Sequence, residues 1–121
     1  MNQVTLPATD LAKSVEFYET LGLKLIVESA PRYARFECPD GGSTLSLHRV
    51  EEVPPETGVS IYFEMAGLDR YVEKLREAGL GIDDPVDQEW NWRETRVRDP
   101  DGNVICLYWA SKDRRYPPWR V

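Results

Sequence analysis

Leu11-Ala12-Lys13-Ser14-Val15-Glu16-Phe17-Tyr18, running on to Leu21-Gly22-Leu23, carries a pattern that the chain writes twice. Leu11, Val15 and Tyr18 fall at i, i+4 and i+7, the spacing of one apolar helix face, and Thr9-Asp10 in front supplies an N-cap. Glycine at position 22 suits the left-handed turn that closes a helix. Further along, Leu68, Val72 and Leu75 repeat the spacing ahead of Ala78-Gly79-Leu80. Val15 and Val72, Gly22 and Gly79, and Leu23 and Leu80 all stand 57 residues apart, so the two helices hold equivalent places in a duplicated unit. The same offset lays Gln3-Val4-Thr5-Leu6 over Ser60-Ile61-Tyr62-Phe63, stretches in which polar and apolar residues alternate as in half-buried strands.

Downstream of each helix, Cys38-Pro39-Asp40-Gly41-Gly42 recurs as Asp99-Pro100-Asp101-Gly102-Asn103. Proline presets φ and glycine accepts φ > 0, so both stretches predict hairpin turns. Their flanks alternate as strands: Tyr33 to Glu37 and Thr44 to His48 in the first half, Glu94 to Arg98 and Val104 to Tyr108 in the second. Lys24-Leu25-Ile26-Val27 adds a strand, with a weaker counterpart near Ile82. Each half therefore reads β-α-β-β-β, as module 1 (1–50) and module 2 (58–110), with an acidic, proline-bearing linker (51–57) and a tail (111–121). A module of this size cannot bury a one-sided sheet alone. The expected fold is α+β: two β-α-β-β-β modules forming a curved, cup-shaped mixed sheet with helices outside and a pocket on the concave face.

The chain has 121 residues, 41% of them hydrophobic and 30% charged, which fits one folded domain rather than a disordered chain or a large multidomain enzyme. A net charge of -6 repels phosphate backbones, so nucleic acid is not an expected partner. No apolar run is long enough to span a membrane, and Met1-Asn2-Gln3-Val4 has none of the features of a secretory signal, so the expected location is the cytoplasm. Cys38 and Cys106 have neither metal-knuckle spacing nor a secreted context, which makes free thiols the expectation.

Thr5-Leu6-Pro7-Ala8-Thr9-Asp10-Leu11, Ser14-Val15-Glu16-Phe17-Tyr18 with Leu21-Gly22-Leu23, and Arg98-Asp99-Pro100-Asp101-Gly102-Asn103 together resemble the glyoxalase, bleomycin-resistance protein and extradiol dioxygenase superfamily, the vicinal oxygen chelate proteins, over essentially the whole chain. The resemblance implies metal ligands at four equivalent strand positions, here Gln3, Ser46, Ser60 and Cys106. A glyoxalase-like set would be Gln or His, then Glu, His and Glu, and only Gln3 conforms; the dioxygenase set needs two histidines, and His48 is the only one in the chain. Neutral serine hydroxyls are poor ligands for divalent iron, zinc or nickel. No cofactor is expected. A divalent metal at an unusual set of Gln3, His48, Glu64 and Cys106 is the minority alternative. Homodimers, common in the family, are the expected assembly.

Alternation places Gln3, Thr5, Ser46, His48, Ser60, Tyr62, Glu64, Cys106 and Tyr108 on the cavity face, with Val4, Leu6, Leu45, Leu47, Ile61, Phe63, Ile105 and Leu107 beneath the helices. In Gln88-Glu89-Trp90-Asn91-Trp92-Arg93, Trp90 and Trp92 would stack a planar or cationic ligand, and Glu89 would add attraction for a positive one. The expected function is metal-independent binding of an aromatic or cationic small molecule, as in bleomycin-resistance proteins. The alternative is a lyase, isomerase or dioxygenase working through His48, Glu64 or Tyr62.

Overall fold

A computed structural model describes residues 1–121. Strand β1 (Gln3–Ala8) leads into helix α1 (Leu11–Thr20), then β2 (Lys24–Ser29), β3 (Tyr33–Glu37) and β4 (Thr44–Arg49). The second module repeats the order as β5 (Ser60–Glu64), α2 (Leu68–Glu77), β6 (Val86–Asp87), β7 (Arg93–Arg98) and β8 (Val104–Trp109). A 3-10 helix, Ser111–Arg114, begins the tail. The fold is α+β and the two β-α-β-β-β modules are present. No helix is long and apolar enough to cross a membrane.

Each module forms a four-stranded mixed sheet, ordered β1-β4-β3-β2 in the first and β5-β8-β7-β6 in the second. In both, the first strand pairs in parallel with the fourth, Gln3 opposite Thr44 and Ser60 opposite Val104. Asp10 caps α1, its Oδ1 accepting from Lys13 N at 3.2 Å. Gly22 and Gly79 end the helices, each at φ 98°, a conformation open to glycine because it has no Cβ.

One strand departs from expectation. Ile82 is a buried loop residue whose carbonyl accepts from Arg76, and the short β6 starts four residues later at Val86. Pro85, lacking an N–H, stands just before it and prevents an earlier ladder.

The chain divides into two compact units: Met1–Gly58 with Arg98–Asn103, and Val59–Val97 with Val104–Val121. The β7–β8 turn is thus built into the first unit. In that unit α1 packs on β2, β3 and β4, and Leu6, Tyr18, Phe36, Leu45 and Leu47 are buried. In the second, α2 packs on β8 and Val72, Leu75, Ile105 and Leu107 are buried. The opposite face of each sheet carries the polar residues of the alternating pattern.

Asp99 accounts for the residues of its turn without any appeal to a ligand. One carboxylate oxygen accepts from Asp101 N at 3.0 Å and Asn103 N at 2.9 Å, the other from Asn103 Nδ2 at 2.7 Å and the buried Tyr18 hydroxyl at 2.6 Å. Asp101 in turn accepts from the Thr9 amide and hydroxyl. Helix α1 is therefore fastened to a turn 81 residues away from Tyr18.

Candidate functional site

On the polar face of the first sheet, β1, β3 and β4 bring Gln3, Tyr33, Arg35 and Ser46 together. Arg35 lies opposite Ser46 and Tyr33 opposite His48 in the β3–β4 register. Gln3 Nε2 donates to Ser46 Oγ at 2.7 Å, and Thr44 Oγ1 donates to Gln3 Oε1. Ser46 Oγ is 2.6 Å from the Tyr33 hydroxyl, to which Arg35 Nε donates at 2.9 Å. The hydrogen bond to Ser46, aided by that from Arg35 and its charge, lowers the Tyr33 pKa from the usual phenol value. Thr5 and His48 are exposed on the same sheet. His48 stands near the outer end of β4, outside this hydrogen-bonded group.

The second sheet builds an aromatic wall. Trp92, on the approach to β7, stacks on Tyr108 of β8 with centroids 4.5 Å apart and planes inclined by 18°. Tyr62 of β5 meets both rings edge-on, at 6.1 Å from Trp92 and 5.8 Å from Tyr108. Such geometries match the positive ring edge to the negative face. Tyr108 is buried and Trp92 packs against it, whereas Tyr62 stays 46% exposed. Arg96 of β7 places its guanidinium 5.7 Å from the Tyr62 centroid and donates to its hydroxyl at 3.3 Å.

Trp90 and Trp92 have different surroundings. Gln88 N donates to Trp92 O and Asn91 N to Gln88 O, so the chain folds back, with Asn91 at φ 66°. Trp90 is left exposed in the turn beside Glu89, and Trp92 alone reaches the wall.

Glu64 holds the tail. Its Oε2 accepts from Ala110 N at 3.0 Å and Ser111 N at 2.9 Å, and its Oε1 lies 3.4 Å from Arg114 Nε. Those amides open the 3-10 helix, where a carboxylate is favoured by unpaired N–H groups. Beyond it, Arg120 and Arg115 flank the exposed Tyr116 ring at 4.4 and 5.6 Å, and Trp119 is also exposed.

The four positions at which the resemblance implies metal ligands carry donors that are engaged, neutral or protonated. Gln3 is hydrogen-bonded through both its amide atoms, and Ser46 is buried in a bond to it. Ser60 offers a neutral hydroxyl. Cys106 is buried, and burial, with the charge of Glu94 next, pushes its thiol up to about 11, so it is protonated at neutral pH. No three of His, Cys, Asp and Glu gather as a metal-holding group, so the residues present do not fit a divalent ion of the usual kind.

Tyr33, Arg35, Glu94 and Arg96 belong to these groups although they were not among the expected site residues. Their signal lay in the hairpin flanks, where Arg35 and Arg96 occupy matching places 61 residues apart.

Among known proteins, the chain is 33% identical to the protein YraH of Bacillus subtilis (strain 168), over 88% of this chain and 94% of that protein. A glyoxalase/bleomycin resistance protein/dioxygenase from Nocardioides superposes with a TM-score of 0.78 at 28% identity, covering 99% of this chain and 87% of that one. A bleomycin-binding protein complexed with bleomycin superposes with a TM-score of 0.75, covering 90% and 96%; at 21% identity that likeness is one of fold. The model of the Glyoxalase/Bleomycin resistance protein/Dioxygenase superfamily matches residues 1–107, and the chain belongs to that superfamily.

Proposed function

We propose that this protein binds a planar aromatic small molecule without a metal, using the Tyr62, Trp92 and Tyr108 wall. The carrying observation is the rigid Trp92–Tyr108 stack with the half-exposed Tyr62 ring edge-on beside it. A planar ligand laid on Tyr62 removes apolar surface from water and adds a ring contact of about 0.5–1.5 kcal/mol beyond that area. The stack loses little side-chain entropy in the process, because it is already packed. Ser60 supplies a polar group from the same sheet. The fold neighbour that binds bleomycin supports binding as a use of this architecture.

Acidic groups on this face are engaged: Glu94 is buried 3.4 Å from Arg96, and Glu64 holds the tail. A cationic ligand, the other class suggested by the sequence, has to displace Arg96 from the Tyr62 ring. The proposal includes a cytoplasmic homodimer, checked by light scattering.

Tryptophan fluorescence titrated with bleomycin and with 8-anilinonaphthalene-1-sulfonate tests the wall. Saturable quenching that Trp92→Ala removes and Trp90→Ala keeps is the expected result. Full quenching in Trp92→Ala overturns the wall. Near-stoichiometric metal, retained by the untagged protein after incubation with iron, manganese, nickel or zinc and desalting, overturns metal independence and favours lyase or dioxygenase chemistry.

A further inference from the structure

The hydrogen bonds on the first sheet leave one proton unspent. Thr44 Oγ1 donates to Gln3 Oε1, which orients the Gln3 amide so that Nε2 faces Ser46 Oγ. Ser46 accepts that proton, and Tyr33 accepts one from Arg35 Nε. The two hydroxyls then share a single bond at 2.6 Å, so one of their two protons is used and the other remains. Ser46 is fully enclosed and Tyr33 only half-buried. A buried hydroxyl proton without an acceptor is costly, so the favoured arrangement has Ser46 donating to Tyr33 and the phenol proton free to turn outward. Two donors into the phenolic oxygen are also what lowers its pKa.

Arg35 is fixed beside that proton. Its Nε is bonded to Tyr33, and its guanidinium lies 5.5 Å from the same ring. It forms no ion pair, and Glu37, two residues along the strand, is engaged by Lys24 at 3.6 Å. The equivalent arginine of the second module, Arg96, also reaches a phenol oxygen but is neutralised by Glu94. The first module thus keeps a pre-oriented, uncompensated cation next to a hydroxyl donor, in a place where Gln3 and Ser46 are spent on holding the phenol.

We propose that Tyr33 and Arg35 form an oxyanion subsite on the first sheet that takes the carboxylate group of a small molecule. The phenol donates to one oxygen while the outer nitrogens of the guanidinium pair with the carboxylate, a charge-assisted contact that water-exchanged neutral amides do not match. The single guanidinium balances one negative charge and the hydroxyl adds only a donor, which favours a carboxylate over a phosphate dianion. The subsite stands on the first module alone, and its ligand class is carboxylates.

The experiment uses the full chain labelled with [ζ-13C]tyrosine at pH 7, with the Tyr33 resonance assigned by its loss in Tyr33→Phe. Sodium benzoate, benzamide and inorganic phosphate are titrated in turn. Benzoate is expected to shift Tyr33 saturably, with benzamide and phosphate binding more weakly, and Arg35→Gln is expected to weaken benzoate by about tenfold, the scale of one charge-assisted contact. Equal responses to benzoate and benzamide, phosphate binding more tightly than benzoate, or unchanged benzoate affinity in Arg35→Gln overturn the subsite. Benzoate shifting Tyr62 and Tyr108 while Tyr33 stays still overturns the subsite and leaves the aromatic wall standing. A Tyr33 response with the second-module tyrosines and tryptophan fluorescence unmoved supports the subsite and counts against the wall.

Discussion

Replacing Tyr18 with phenylalanine removes one oxygen from the first core and keeps the ring, which packs edge-on against Phe17 at 5.1 Å and tilted against Phe36 at 5.9 Å. The lost bond is the 2.6 Å donation to Asp99, a carboxylate only 5% exposed. A hydrogen bond to a charged group is worth about 1.5–3 kcal/mol. Because Asp99 keeps its bonds from Asp101 N, Asn103 N and Asn103 Nδ2, the expected cost lies in the lower part of that range, about 2 kcal/mol. For a chain of this size that corresponds to a fall in Tm of roughly 6–10 °C.

Urea unfolding followed by circular dichroism at pH 7 measures it, with an unchanged m value showing that the denatured state is unaltered. Asp99→Asn and the double variant complete a cycle whose interaction energy should exceed about 1 kcal/mol. The pH dependence has a definite sign. Burial, reinforced by the Asp99 charge and hydrogen bond, raises the Tyr18 pKa above its unfolded value near ~10. Its stabilising contribution is therefore complete below about pH 10 and declines as the unfolded phenol ionises above it. The difference between wild type and Tyr18→Phe should shrink in that alkaline range. A cost below about 0.5 kcal/mol at pH 7, or additive single variants, refutes the fastening of α1 to the distant turn.

Three other residues give independent checks. Ser14 is fully buried in α1 and its hydroxyl has no hydrogen-bond partner, so Ser14→Ala should stabilise the protein by about 0.5–1 kcal/mol in the same urea assay; a loss of stability contradicts this. Glu64→Ala should abolish hydrogen-exchange protection at the Ala110 and Ser111 amides while leaving the β4 amides protected, and retained protection would show that the carboxylate does not hold the tail. Cys106 is buried and its thiol is pushed up to about 11, whereas Cys38 is only half-buried. With a disulfide reagent at pH 8, Cys38→Ser should therefore react slowly through its remaining thiol and Cys106→Ser quickly; equal rates would contradict the enclosure of Cys106.

The architecture was legible because it depends on local chemistry repeated at a constant interval. Glycine at 22 and 79, the Asp10 cap, the Pro-Asp-Gly turns and the period-two strands each act within a few residues, and duplication supplied a second copy of nearly every signal. The strand expected near Ile82 failed where the duplication is weakest and Pro85 interrupts the ladder. Alternation also brought out Gln3, Ser46, Tyr62, Cys106 and Tyr108 as residues of one face per sheet.

Partnership on those faces was decided by the tertiary structure. Tyr33 and Arg35 became a pair with Ser46 through the β3–β4 register, and Glu64 became a tail anchor by meeting two amides 46 and 47 residues away. Trp90 and Trp92 parted because Asn91 adopts a positive φ between them. Sequence by itself determined the duplicated modules and the faces of their strands, since periodicity and turn chemistry are properties of neighbours along the chain. Only the folded protein decided which side chains have their hydrogen bonds and charges already satisfied, because that depends on contacts between distant strands, and it is the unsatisfied ones that remain to meet a ligand.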